Sequence, residues 1–171
     1  KFSELSKKLI IFCSDIDTKQ QVIIEQGDLL SAIIASCALP PVIKPVTRDG
    51  YRLVDGGFST TYGSSALRKA GARYVVGVSV EKWIDISTIP GIMKDFVDAM
   101  GVAWQTVANN ENKTDPADLT IAEFGDNTNM LDFNVNKQEL FNKGYIKAME
   151  YIDKIKIDVN KKTSILDFIS Q

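Results

Sequence analysis

Two strand-length apolar runs, Leu9-Ile10-Ile11-Phe12-Cys13 and Tyr74-Val75-Val76-Gly77-Val78-Ser79-Val80, constrain this chain most. The first is continuously apolar and the second nearly so, and such runs read as strands covered on both faces, the pattern of a sheet packed between helices. Gly27-Asp28 leads into residues 29–39, rich in alanine and leucine and stopped by Pro40-Pro41. Asp28 is placed to cap a helix there, and the double proline ends it. That helix is apolar nearly all round, which predicts burial against a sheet, and Ala32, Ala35, Ser36 and Ala38 allow close packing. Residues 64–70, closed by Gly71 and followed by the strand of residues 73–80, form a helix–glycine–strand unit. This order belongs to an α/β fold with a largely parallel sheet.

Composition narrows the function. At 171 residues the chain is long enough for a domain with a real core. Its formal net charge of -2 offers no basic field for a phosphate backbone. Cys13 and Cys37 both sit in apolar runs and are expected as buried free thiols. No run is long enough to span a bilayer, so the chain is expected to be soluble, either cytoplasmic or peripheral at membranes. Histidine is absent altogether. The 171 residues therefore supply no Ser-His-Asp or Cys-His pair and no HExxH zinc site, and acid–base chemistry falls to carboxylates, lysine or tyrosine. No cofactor is implied, and there is neither a glycine-rich phosphate loop after the first strand nor a P-loop Lys-Ser/Thr pair.

The remaining segments read in order. Residues 21–25 form a second short strand. Asp15 and Asp17, in the loop before it, lack the glycine and distal glutamate of an EF-hand, so turn formation explains them better than a metal site. Residues 42–46 and 51–54 flank Thr47-Arg48-Asp49-Gly50 as the arms of a hairpin. Residues 90–110 carry Ile92, Met93, Phe96, Val97, Met100, Trp104 and Val107 at amphipathic spacing. Such a helix packs on a core or serves as a lid or lipid-facing element. Residues 109–117 read as an exposed polar loop and residues 119–124 as a strand. A long helix follows to about residue 155, with Asn136 as N-cap and Glu139 at its third position. Residues 158–162 read as a linker and residues 165–169 as a short terminal helix.

The stretch Tyr51-Arg52-Leu53-Val54-Asp55-Gly56-Gly57-Phe58 stands out. A short apolar arm delivers a carboxylate into two glycines, which permit backbone angles and close approaches that other residues resist. Asp-Gly is also among the commonest turn pairs, and on the motif alone a structural turn is the preferred reading over a site.

Taken together, the chain resembles the C-terminal part of a patatin-like phospholipase, a lipid acyl hydrolase that works with a serine–aspartate dyad. Residues 9–17 resemble the strand leading into that family's Asp-containing turn, and Gly27-Asp28-Leu29 with Ala32 the start of its next helix. Ala35-Ser36-x-x-Leu39-Pro40, Lys44-Pro45-Val46, Asp49-Gly50 and Val54-Asp55-Gly56-Gly57 follow in the family's order. Leu67-Arg68-x-x-Gly71-Ala72 before residues 75–80 resembles its next αβ unit, and Gly144-Tyr145 with Ala148 a later helix. The resemblance implies a three-layer α/β/α sandwich, residues 1–157 being the C-terminal portion of the hydrolase domain and residues 158–171 a linker and terminal helix. It implies Asp55 as the catalytic carboxylate, with Gly56, Gly57, Ser36 and Pro40 shaping the site.

Two departures matter. Thr60-Thr61-Tyr62-Gly63 stands where the family commonly has an Asn-x-Pro segment, so substrate preference does not carry over. The family's Gly-x-Ser-x-Gly nucleophile motif and its oxyanion glycines occur nowhere in the 171 residues. The expected partner is accordingly an N-terminal chain or segment of the same protein carrying them, and the expected substrate a lipid or membrane-surface ester. The alternative is a non-catalytic scaffold or regulatory subunit that keeps the fold without the chemistry.

Overall fold

The computed structural model describes residues 1–79, 91–122 and 136–169. It is a mixed α/β chain that forms two compact units: Lys1–Gly63 with Val102–Lys113, and Ser64–Gly101 with Thr114–Gln171.

The first unit is built on a four-stranded sheet of order β2-β1-β4-β3, from β1 (Ile11–Asp15), β2 (Gln20–Ile24), β3 (Val46–Arg48) and β4 (Tyr51–Asp55). Every pairing in it is antiparallel, with Cys13 opposite Val22 on one side and opposite Asp55 on the other. A largely parallel sheet is therefore not what the described strands form. The connections β1–β2 and β3–β4 are too short for the crossover a parallel pair requires, and short loops close antiparallel hairpins instead. At the β3–β4 turn, Asp49 and Gly50 both adopt positive φ, 50° and 86°. Two successive positive-φ residues suit a hairpin whose turn follows the right-handed twist of its strands.

Helix α1 (Leu29–Ser36) lies against this sheet. Asp28 caps it, accepting the Ser31 N–H at 2.7 Å. Ala32 and Ala35 are fully buried, and they join Phe2, Ile11, Cys13, Ile24 and Leu53 in one core. The small side chains let the helix approach the strands closely, as their spacing predicts. Burial is one-sided, however: Leu30, Ile33, Ile34 and Cys37 are exposed among the described residues, so Cys37 is not the buried thiol expected. Arg48 locks the hairpin to the helix start, its guanidinium donating to the carbonyls of Gln26 and Asp28 and to the Ser31 hydroxyl at 2.7–2.9 Å.

The second unit contains α2 (Ser64–Lys69), β5 (Val76–Val78) and β6 (Leu119–Ile121), with β5 and β6 paired in parallel. Gly71, at φ 100°, ends α2 as expected. Arg68 binds Asp115 and Asp118, each at 2.9 Å, and Asp118 also accepts from Lys162 and from the Val75 N–H. Helix α3 (Gly91–Thr114) contributes residues to both units, and it absorbs most of the segment expected as a polar loop. Helices α4 (Lys137–Met149) and α5 (Ile152–Ile169) complete the chain. Asn136 caps α4, accepting the Glu139 N–H at 3.2 Å. Residues 158–162, expected as a linker, lie inside α5. The expected helix start at Pro90, the end of the 119–124 strand and the approach to Asn136 lie outside the described residues.

Candidate active site

Asp55 is the last residue of β4, and its local chain explains its pose. Its N–H donates to the Ala38 carbonyl at 3.0 Å, tying the strand end to the turn after α1. Its side chain then accepts the Gly57 N–H at 2.7 Å and so caps a single 3-10 turn, Gly56–Phe58. Among the described residues, this is the one hydrogen bond the carboxylate receives. The group is half-buried, and burial pushes its pKa up, opposed in part by the Gly57 N–H. A carboxyl whose proton affinity is raised by desolvation is a better base than a free surface aspartate.

The two glycines are needed for different reasons. A Cβ on Gly56 would run into the Phe12 carbonyl oxygen and stand 2.8 Å from its carbon. That same carbonyl accepts the Ser36 hydroxyl at 2.7 Å, so Ser36, Phe12 and Gly56 meet at one backbone crossing. A Cβ on Gly57 would stand 3.1 Å from Asp55 Oδ1 and 3.5 Å from Trp104 Nε1. Gly57 thus leaves open the space between the carboxylate and the indole. Pro40 lies two residues beyond Ala38, in the turn that holds the Asp55 N–H; the Pro40–Pro41 peptide is cis.

The floor beneath Asp55 is tightly made. Cys13, its register partner on β1, is fully buried, and burial, followed by the neighbouring Asp55 charge, pushes its thiol up to about 11. It therefore stays a neutral thiol at ordinary pH. Ser14 donates to the Ser59 hydroxyl at 2.9 Å, and Ser59 donates to the Gly56 carbonyl at 3.1 Å.

Two residues of α3 complete the neighbourhood. The Trp104 ring lies 5.7 Å from that of Phe58, centroid to centroid. Glu111 accepts the Thr60 hydroxyl at 3.0 Å, the Thr61 N–H at 2.6 Å and the Tyr62 N–H at 3.2 Å. The Thr60 hydroxyl oxygen in turn accepts the Gly63 N–H at 2.9 Å. The loop after Asp55 is thereby held by one carboxylate. Sequence reading counted Trp104 as an apolar helix position and placed Glu111 in a loop. The available signal was their spacing of seven residues, which puts both on one face of a helix.

Asp15 and Asp17 do not form a ligand pair. Asp15 spends its oxygens on the N–H groups of Asp17, Thr18 and Arg52 and on the Thr18 hydroxyl, while Asp17 binds the Arg52 guanidinium at 2.8 Å. These are turn and strand-tethering bonds.

The first unit is thus an α/β layer that presents a single half-buried carboxylate where a strand breaks into a glycine turn, with no histidine to assist it. Residues 1–63 match the family model of patatin-like phospholipases, and over that stretch the resemblance read from the motifs is shown. The matched family is one of phospholipases, and the match covers 63 of the 171 residues. The match ends at Gly63, the residue at which the Glu111-held loop also ends. Among the described residues no helix is long and apolar enough to cross a membrane.

Proposed function

We propose that the chain supplies the carboxylate of a Ser-Asp dyad in a lipid acyl hydrolase, and that Asp55 is that carboxylate. The observation that carries this reading is the pose of Asp55. It lies within the family-matched residues at a strand end, half-buried, with one oxygen held by the Gly57 N–H and, among the described residues, no cationic side chain bonded to it. The nucleophile comes from a segment with Gly-x-Ser-x-Gly, which none of the 171 residues contains. That segment would also add the strands of a three-layer α/β/α sandwich.

In the reaction, the serine hydroxyl attacks the ester carbonyl while Asp55 takes its proton. The oxyanion is held by backbone donors of the nucleophile segment. Collapse of the tetrahedral intermediate expels the alcohol, which takes the proton back from Asp55. Water, deprotonated by the same carboxylate, then attacks the acyl-enzyme and releases the fatty acid and the free serine. The substrate is a carboxylic ester of a lipid, with Ser36 and Pro40 shaping the site through the Phe12 and Ala38 carbonyls. In the complete protein, Asp55→Asn is expected to abolish hydrolysis of a p-nitrophenyl acyl ester, at least 10³-fold, while the circular dichroism spectrum stays unchanged. Retained turnover in a folded variant would defeat the assignment.

A further inference from the structure

The indole N–H of Trp104 is fully buried and has no hydrogen-bond partner among the described residues. Buried donors are nearly always satisfied, so an orphan beside a candidate catalytic group calls for a physical reason. Its surroundings supply one. Trp104 Nε1 and Asp55 Oδ1 both face the point where a Gly57 side chain would begin, at 3.5 and 3.1 Å. Both atoms border the space that Gly57 leaves open, and a single water lodged in it can accept from the indole N–H and donate to the carboxylate.

We propose that Trp104 is a positioning residue for Asp55, its indole N–H donating through a single water, seated where Gly57 lacks a side chain, to the Asp55 carboxylate. The Gly57 N–H holds one approach to the carboxylate and the water bridge holds another, so the group is fixed in place and its ionised form is favoured. Phe58, packed on the Trp104 ring, fixes the indole. Gly57 is then required for the space it leaves, since its backbone has no positive φ to accommodate.

Other titratable groups among the described residues also surround Asp55. From β1 it faces the Cys13 thiol, held neutral by burial. Cys37 after α1 and Arg48 of β3 act on Cys13 from further away, and from α3 the charged neighbour of the loop is Glu111, engaged with residues 60–62. None of these replaces the bridge.

This inference rests on Asp55 being the base for its kinetic consequence only, and the test separates the two. In the complete protein, the Trp104 indole ¹⁵N–¹H resonance is followed by NMR from pH 3 to 8. It is expected to move with a single titration step that Asp55→Asn removes. Trp104→Phe, which keeps a ring but loses the donor, is expected to shift the acid limb of kcat/KM up by about one pH unit. That corresponds to about tenfold lower kcat/KM on the limb, with a plateau within about threefold of wild type. Gly57→Ala, which displaces the water, is expected to give the same shift, and the double variant no more than either alone. An indole resonance that is flat, or that titrates unchanged in Asp55→Asn, overturns the bridge even if Asp55→Asn is inactive. A titrating indole with full turnover in Asp55→Asn keeps the bridge and removes the base.

Discussion

Gly56 and Gly57 are adjacent and chemically identical, yet the structure asks different things of them. At Gly56 an added methyl meets the backbone of Phe12, which belongs to the central strand β1 and cannot retreat without disturbing its pairing with β2 and β4. Forcing a methyl into such a contact typically costs about 1–3 kcal/mol, and the immobile backbone places this site at the upper end. Gly56→Ala is therefore expected to lose about 3 kcal/mol in urea unfolding, whereas Gly57→Ala is expected to lose less, about 1–2 kcal/mol, because its methyl meets the Asp55 carboxylate and displaces a water instead of pressing on backbone. Equal losses for the two would mean that the crossing of Gly56 over Phe12 is looser than its geometry indicates. The pair was legible in the sequence as a place of close approach. Which glycine met backbone and which met a functional side chain was not, because that depends on β1 and α3, many residues away.

At the scale of elements, signals carried within one segment were readable and those carried between segments were not. The Asp28 and Asn136 caps, the Asp49-Gly50 turn and the stop at Gly71 all depend on residues within a few positions of one another, and all stand where the sequence put them. The antiparallel order of the four-stranded sheet was not legible in its apolar strands, which look the same whichever way their neighbours run, whereas β5, read as part of a parallel unit, does pair in parallel with β6. The polar end of α3 was misread because its glutamate is satisfied by a loop about fifty residues earlier in the chain. The candidate site was legible to the same extent: the Asp55-Gly56-Gly57 turn is local, whereas its neighbours Trp104 and Glu111 come from a distant helix. If Glu111 is the clamp of residues 60–62, Glu111→Ala should leave α3 helical while removing the acceptor shared by the Thr61 and Tyr62 amides. A hydrogen bond to a charged acceptor contributes about 1.5–3 kcal/mol, so exchange of those two amides should quicken at least tenfold by hydrogen-exchange mass spectrometry or NMR. Unchanged protection there would show that the loop holds itself.

At the scale of the whole molecule, each unit keeps, among the described residues, one carboxylate brought down to about 2, and this sets how the protein meets acid. In the first unit the Thr18 hydroxyl, opposed by burial and helped by the N–H groups of Thr18, Arg52 and Asp17, brings Asp15 down to about 2. In the second, burial raises Asp118, but Lys162, Arg68 and the Val75 N–H outweigh it and bring the group to about 2 as well. Both folded values lie below the ordinary carboxylate value of about 3.9, so the unfolded chain takes up protons first. The stabilisation is complete above that ordinary value and is lost as pH falls through about 2. Melting temperature should therefore fall steeply between pH 4 and pH 2. Asp15→Asn and Asp118→Asn should each start lower at pH 6 but lose less over the acid window, because an amide has no proton to take up. Parallel curves for wild type and Asp15→Asn would mean that its three amide donors and one hydroxyl do not distinguish the ionised carboxylate from the neutral acid. Asp55 moves in the opposite direction, its pKa raised by burial, so removing its charge relieves a desolvation cost that grows as pH rises. Asp55→Asn is accordingly expected to melt no lower than wild type at pH 7 and to gain relative to it between pH 4 and pH 7, whereas the deficit of Asp15→Asn stays level over that interval and narrows only below pH 4. That contrast separates a carboxylate kept for what it does from one kept for what it holds.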